Sequence, residues 1–213
     1  MKTDDLIKML STNVEPTDRS KISRELAGVV LFGAATSITI ALLTTGLRSD
    51  LENAHILYFL LLKFAFAGMV VSFGVFYLSR LSRPGGEKMR SPLWATAPLV
   101  AFLAIAALAL IAAPVMHLRT MVMGTEWLEC LISIPVIAVV PFAAVVWFLR
   151  RMAPTDLVRA GGVAGVVAGG MSAMGYALHC TDDSLPFIAV WYGGAIVLCA
   201  LAGAVLGPKL LRW

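Results

Sequence analysis

Long apolar stretches separated by short polar segments dominate the chain. Six stretches of about 20 residues are nearly free of charge, and none alternates between apolar and polar positions. Backbone amides in lipid must be hydrogen-bonded internally, which segments of this length achieve as helices. The pattern therefore predicts an all-α, polytopic membrane protein with a six-helix transmembrane bundle. The predicted spans are 26–46, 56–78, 93–116, 128–149, 158–178 and 187–207.

The polar segment before the first span favours a retained helix over a cleaved signal peptide. The segment is 25 residues long, and no small-residue cleavage pattern follows the first apolar stretch. The chain then divides into an N-terminal tail (1–25), a transmembrane domain (26–208) and a short C-terminal segment (209–213).

Composition and charge agree with this division, and the positions of the basic residues also predict how the chain is oriented in the membrane. Hydrophobic residues make up 59% of the chain and charged residues 14%, which excludes an ordinary soluble domain. The tail, the loops after the second and fourth spans, and the C-terminus together hold 14 of the 17 Lys and Arg residues. Since basic residues in short loops stay on the cytoplasmic side, both termini are predicted to be cytoplasmic. The net charge of +4 is thereby explained without a nucleic-acid partner.

The spans themselves carry few groups for chemistry. Lys63 is the exception, and it lies about two turns inside the second span, near enough to its outer end for the amine to reach the interface. Ion-coupled carriers usually hold several ionisable groups in mid-membrane, so a transporter is disfavoured. Two helix features point to packing instead. Gly161, Gly165 and Gly169 predict a close approach of a neighbouring backbone, and Pro141 predicts a local loosening of the fourth span, as does Pro135.

Two cysteines fall in loops that the topology places on the outer face. Cys130 begins the fourth span, and Cys180 follows the fifth. Thiolates and imidazole suit copper, zinc or cadmium, with carboxylates completing such a shell, and two cysteines can also form a disulfide. A buried pair of small side chains beside an acidic helix-capping turn is the alternative interpretation. The candidate site residues at this face are Cys130, Cys180, His179, Asp182, Asp183, Glu126 and Glu129, and the candidate metal ligands among them are Cys130, Cys180 and His179.

The N-terminal tail predicts a short amphipathic helix. A threonine can cap it, two aspartates complement its dipole, and an apolar stripe follows on one face. An isolated helix this short is marginal in water, so the stripe needs a partner surface, either lipid headgroups or a groove on a protein. The residues concerned are Thr3, Asp4, Asp5, Leu6, Ile7 and Leu10.

Several of these motifs together resemble a known family. The opening run 1–7, the early Pro16, the six spans, and the run 179–184 followed by Trp191 and Tyr192 are similar to the NrsF family of bacterial anti-sigma factors. The resemblance covers essentially the whole chain. It implies a regulator of the bacterial inner membrane, not an enzyme, that restrains an extracytoplasmic-function sigma factor and releases it under metal or oxidative stress. Thr3 to Leu10 would then contact the sigma factor, and Cys130 and Cys180 would take part in sensing.

Other functions and contacts stay open at this point. A membrane redox or metal-binding enzyme subunit would need the outer histidines and carboxylates as ligands, although no span holds the histidine pair of a bis-histidine haem. A small exporter would need polar residues along its spans. The loop Ser79 to Pro92 is a second place for partner contact. The glycine faces serve a homo-oligomer as readily as packing within the chain.

Overall fold

The computed structural model describes residues 19–50, 54–81, 93–152 and 154–212. The tail element Thr3 to Leu10 and most of the loop Ser79 to Pro92 lie outside these ranges. The elements are helices: α1 (Arg19–Thr44), α2 (Ala54–Leu81), α3 (Leu93–Ala112), α4 (Leu118–Met123), α5 (Trp127–Ile137), α6 (Val139–Met152), α7 (Leu157–Ala177) and α8 (Leu185–Leu210). The described ranges contain no strand, which confirms the all-α prediction for them.

Five helical segments are long and apolar enough to cross a membrane. They are Ser20–Thr44, Ala54–Leu81, Leu118–Met152, Leu157–Ala177 and Leu185–Leu210. Each of them contains most or all of one predicted span. The remaining predicted span corresponds to α3, whose apolar part Thr96–Ala112 is shorter. Five of the six predicted spans are therefore matched, while the sixth and the sidedness of the termini stay predictions.

Helix α7 lies at the centre of the bundle and packs against α8, α2, α1 and α6. The four-residue glycine spacing makes this possible, because a Cβ at Gly161 would overlap the backbone of Gly203, and one at Gly165 would overlap the Cys199 carbonyl. The predicted close backbone approach is confirmed, and α8 is the helix that makes it.

The segment 118–152 is interrupted where the sequence predicts loosening. Helix α5 ends at Ile137 and α6 begins at Val139, with Ala138 between them. Pro141 lacks a backbone N–H, and its ring would crowd the Ile137 carbonyl four residues earlier, which explains the position of the break.

The two ends of the bundle have different cores. At one end, Cys130 and Cys180 are buried together with Tyr176 and Tyr192. We call this the cysteine end. The opposite end is apolar and is filled by residues such as Leu81, Leu149, Ala160 and Leu211. The buried Lys and Arg side chains of the described residues lie at the cysteine end.

Candidate functional site

The connection between α7 and α8, residues 178–184, forms the centre of the cysteine end. We call it the cysteine loop. Residues 121–126 bind it on one side, and Arg48 and Lys63 bind it on the other. The structure thus brings together the loops that the sequence places on one face.

The carboxylates of Asp182 and Glu126 link the cysteine loop to residues 125–126 in both directions. The Asp182 carboxylate accepts hydrogen bonds from the N–H groups of Thr125 (2.9 Å) and Glu126 (2.8 Å). The Glu126 carboxylate accepts from the Thr181 N–H (3.1 Å) and hydroxyl (2.8 Å). Both carboxylates are therefore engaged by protein donors and hold two loops together.

The start of α8 completes this side of the site. The Ser184 hydroxyl donates to the Met121 carbonyl (2.6 Å) and accepts from the Phe187 N–H (3.2 Å), which caps the helix. The Trp191 indole N–H donates to the Val122 carbonyl at 2.7 Å. These bonds fix the beginning of α8 against α4, a short helix that the sequence analysis did not predict.

Four charged groups meet on the other side of the cysteine loop. The Arg48 guanidinium bonds Asp183 (2.9 Å) and Asp50 (2.7 Å). The Lys63 amine bonds Asp183 Oδ1 at 2.9 Å and the Cys180 carbonyl oxygen at 2.9 Å. The same carbonyl accepts from Arg48 Nη1 at 3.0 Å. Two cations and two carboxylates thus surround one backbone carbonyl.

Burial makes this charge cluster electrostatically strong. The Lys63 and Arg48 side chains are 0% and 1% exposed, and Asp183 is 12% exposed. Burial opposes ionisation of Asp183, but hydrogen bonds from Arg48 and Lys63 outweigh it and hold the pKa of this carboxyl below its usual range. Hydrogen bonding to Arg48 lowers the pKa of Asp50 in the same way. The expectation that Lys63 snorkels to the interface needs correction, because its amine is enclosed by protein and bonded within it.

The two candidate sensing cysteines lie in one buried cluster as free thiols. Cys130 and Cys180 are both 0% exposed. Burial raises the pKa of the Cys180 thiol, and the nearby Lys63 ammonium acts in the opposite direction. Cys199 lies apart from this pair, in mid-α8 against Gly165 and Gly169, as expected for a packing residue.

No group of three or more His, Cys, Asp or Glu side chains gathers as a metal-binding set within the described ranges. His179 Nε2 lies 3.4 Å from Glu129 Oε1, at the surface of the site. Since Asp182, Asp183 and Glu126 are bound to protein donors, they lie in the site as structural groups in this state. A metal site of Cys130, Cys180 and His179 stays a prediction.

Two tyrosines and one arginine belong to the site but were missed by the sequence analysis. Tyr176 and Tyr192 are fully buried, their ring centroids lie 6.1 Å apart, and neither hydroxyl makes a well-formed hydrogen bond in the described structure. The sequence analysis gave Arg48 no role. The available signal was Lys63, since a lone cation in an apolar span requires a counter-charge, and the Asp183 that supplies it also binds Arg48.

Comparison with known proteins identifies the family to which the chain is similar. The family model described as NrsF, negative regulator of sigma F, matches residues 10–213. The chain is 34% identical to the "Probable anti-sigma-F factor NrsF" of Azospira oryzae over 213 residues, which cover all of both chains. It is 32% identical to the "Anti-sigma-F factor NrsF" of Caulobacter vibrioides over 216 aligned positions, again with full coverage of both.

No solved structure matches the chain. The family model and both relatives extend over nearly the whole sequence, so the assignment covers the bundle and the cysteine loop together. The proteins named in this family are regulators rather than enzymes. The chain belongs to the NrsF family.

Proposed function

We propose that this protein is an inner-membrane anti-sigma factor that sequesters an extracytoplasmic-function sigma factor through its N-terminal tail. Release follows when Cys130 and Cys180 respond to a soft metal ion or an oxidant. The observation that carries the proposal is the full-length likeness to two proteins named as anti-sigma-F factors.

The membrane part of the proposal is supported by the helices and by the basic residues. Six crossings, made by the five membrane-length helices and the apolar α3, would put both termini on one side of the membrane, and the basic residues favour the cytoplasm for that side. The cysteine end then faces the periplasm of a bacterial cell. Oxidants and metal ions from outside reach this end without crossing the membrane.

The tail supplies the partner surface. The sequence predicts that Thr3, Asp4 and Asp5 start a short helix, and its apolar stripe, Leu6, Ile7 and Leu10, would need an apolar groove to become stable. A sigma factor whose groove holds this stripe is kept from RNA polymerase. The loop Ser79 to Pro92 lies on the same predicted side and offers a second contact.

The cysteine pair supplies the signal. In the oxidative case the two sulfurs join, two protons leave, and two electrons pass to the oxidant. In the metal case the two thiols lose their protons and the resulting thiolates bind a copper, zinc or cadmium ion, with His179 as the third ligand. Glu129 stands beside His179 and can orient it. Moving a two-state equilibrium from 1:99 to 99:1 requires a differential affinity of about 5.5 kcal/mol, which thiolate coordination or a covalent bond can supply.

Deletion of residues 2 to 12 tests the tail. We expect the protein to stay in the membrane fraction, the sigma factor to stop co-purifying, and sigma-dependent transcription to become constitutive. If the shortened protein still retains the sigma factor, the binding surface lies elsewhere, and the loop Ser79 to Pro92 is the next candidate.

Single Cys130→Ser and Cys180→Ser variants test the sensing step. We expect both to lose the transcriptional response to copper, cadmium and peroxide, because each removes one of two required sulfurs. Cys199→Ser is the matched control, since this thiol lies outside the site, and it should respond as the parent does. Normal responses in both test variants would refute cysteine sensing.

A further inference from the structure

We propose that Arg48, Lys63 and Asp183 are positioning residues that hold Cys180 in its resting place and couple the cysteine loop to helix α1. This inference deepens the proposed function and rests on it. It assigns a role to the buried charge cluster, and it names the route by which a change at the thiols reaches the tail.

Two buried cations anchor the cysteine loop. The carbonyl of Cys180 accepts hydrogen bonds from Lys63 Nζ (2.9 Å) and Arg48 Nη1 (3.0 Å). The backbone N–H of Arg48 also donates to the Leu178 carbonyl at 3.1 Å. Charge-assisted hydrogen bonds are stronger than neutral ones, so the peptide group that contains the Cys180 carbonyl is firmly held.

The positive and negative charges in this cluster balance each other. Arg48 and Lys63 contribute two positive charges, and Asp50 and Asp183 contribute two negative charges. A buried ion pair is costly to break from one side, because the remaining charge loses its partner. Removing Asp183 alone leaves a net positive cluster, whereas removing Lys63 and Asp183 together restores neutrality through the Arg48–Asp50 pair.

The charge cluster is connected to helix α1 through Arg48. Arg48 follows the last residue of α1, Thr44, by one short turn of chain. The helix itself is packed tightly on α7, since a Cβ at Gly175 would lie 2.7 Å from the Ser37 carbonyl oxygen, and the Ser37 and Ser172 hydroxyls are 3.5 Å apart.

Helix α1 extends from Thr44, four residues before Arg48, back to the tail. It is 26 residues long, or about 39 Å at 1.5 Å per residue, and begins directly after residues 1–18. A displacement of Cys180 is therefore passed through Arg48 to one end of a helix whose other end carries the sigma-binding segment. Joining Cys180 to Cys130, directly or through a metal ion, would produce such a displacement.

The test compares Asp183→Asn, Lys63→Met and the double variant in unstressed cells. For Asp183→Asn we expect sigma-dependent reporter output to rise about tenfold, because two buried cations lose their shared counter-charge. Lys63→Met should raise it less, since Arg48 still binds Asp183. The double variant should fall back toward the parent, which loss of folding alone would not produce.

Accessibility of Cys180 gives a second readout that does not depend on the sigma factor. In a background with Cys130→Ser and Cys199→Ser, maleimide labelling of Cys180 in membranes should accelerate in Asp183→Asn and return toward the slow parental rate in the double variant. Labelling is measured per molecule retained in the membrane, so reduced abundance does not obscure it.

Asp156→Asn is the matched control, because it makes the same chemical change in an aspartate–arginine pair at the opposite end of the bundle. It should leave both readouts at parental values. If Asp183→Asn keeps Cys180 protected, or if the double variant is as active as Asp183→Asn, the positioning role is wrong. If labelling changes as expected while output does not, the network holds the loop but the coupling to the sigma factor fails, which separates this proposal from the function on which it rests.

Discussion

Gly124 is the residue whose conformation most constrains the cysteine end. Its backbone has φ of 57° and ψ of −163°, a region that residues with a Cβ rarely adopt. A Cβ at this position would also overlap the carboxylate of Asp182, and it would lie 2.7 Å from the Phe187 ring. Gly124 therefore allows the chain to turn directly beneath the aspartate that binds the next two amides.

We expect Gly124→Ala to loosen the cysteine loop by displacing Asp182 from the amides of Thr125 and Glu126. The backbone strain alone is about 1–3 kcal/mol, and the lost hydrogen bonds add to it. Maleimide labelling of Cys180 should accelerate, and thermal unfolding in detergent should begin at a lower temperature. Gly68→Ala is the control, since a Cβ at Gly68 meets nothing within 4 Å. Equal labelling rates in the two variants would show that this turn does not hold the loop.

The sequence identified most residues of the site but not what each does. Cys130, Cys180, Glu126 and Asp182 were recognised because they are polar or reactive groups beside apolar spans. Their partners are backbone amides and carbonyls of distant segments, and a sequence motif does not record which amide a carboxylate meets. The enclosure of Lys63 was missed for the same reason, since its counter-charge lies 120 residues away.

The close contact between helices α7 and α8 is sensitive to side-chain size. Gly165→Ala would place a methyl group against the Cys199 carbonyl backbone, which cannot move aside without shifting α8. We expect this substitution to destabilise the bundle by about 1–3 kcal/mol, seen as earlier thermal unfolding in detergent.

Gly162→Ala is the matched control for this contact. It lies in the same helix three residues away, but its Cβ would make ordinary contacts at 3.5 Å with Ala204. The control should unfold within about a degree of the parent, because a methyl group that makes only ordinary van der Waals contacts changes little. Similar losses in both variants would mean that general helix effects, not the close α7–α8 contact, set the stability.

At the scale of elements, apolar length predicted helices well, and irregular turns escaped prediction. The span predicted at 158–178 is observed as Leu157–Ala177, where Asp156 caps the start by accepting the Arg159 N–H at 2.9 Å. By contrast, α4 has only 6 residues, too few for an apolar pattern to show. The π-helical turn Ile188–Tyr192 inside α8 was also not predicted, since such single turns lie inside otherwise ordinary helices.

At the scale of the whole molecule, the path of α3 decides how many times the chain crosses the membrane. Helix α2 ends at Leu81, which belongs to the core of the opposite end, while Met121 is bonded to Ser184 at the cysteine end. The chain must therefore pass from one end of the bundle to the other between these residues. Helix α3 lies on this path and packs on α2, with the Phe66 and Phe102 rings 4.5 Å apart.

This path leads to a prediction about sidedness. At 20 residues and about 1.5 Å per residue, α3 is about 30 Å long, which equals the thickness of the hydrocarbon layer. We therefore expect six crossings. Alkaline phosphatase fused after residue 116 or within the cysteine loop should be active outside the cytoplasm, whereas green fluorescent protein fused at Met1 or after Arg212 should fluoresce inside it.

A fusion after Pro92 distinguishes this arrangement from its nearest rival. With α3 crossing, residues 82–92 lie in the cytoplasm, on the side of the tail, and phosphatase fused there should be inactive. With α3 lying along the surface, the segments before and after it would share a side, and fusions after 92 and after 116 would behave alike. In that case the basic residues would no longer place the thiols and the tail on opposite faces of the membrane. Sensing from outside would then need another explanation. We expect opposite outcomes for the two fusions, because α2 ends at one end of the bundle and α4 lies at the other.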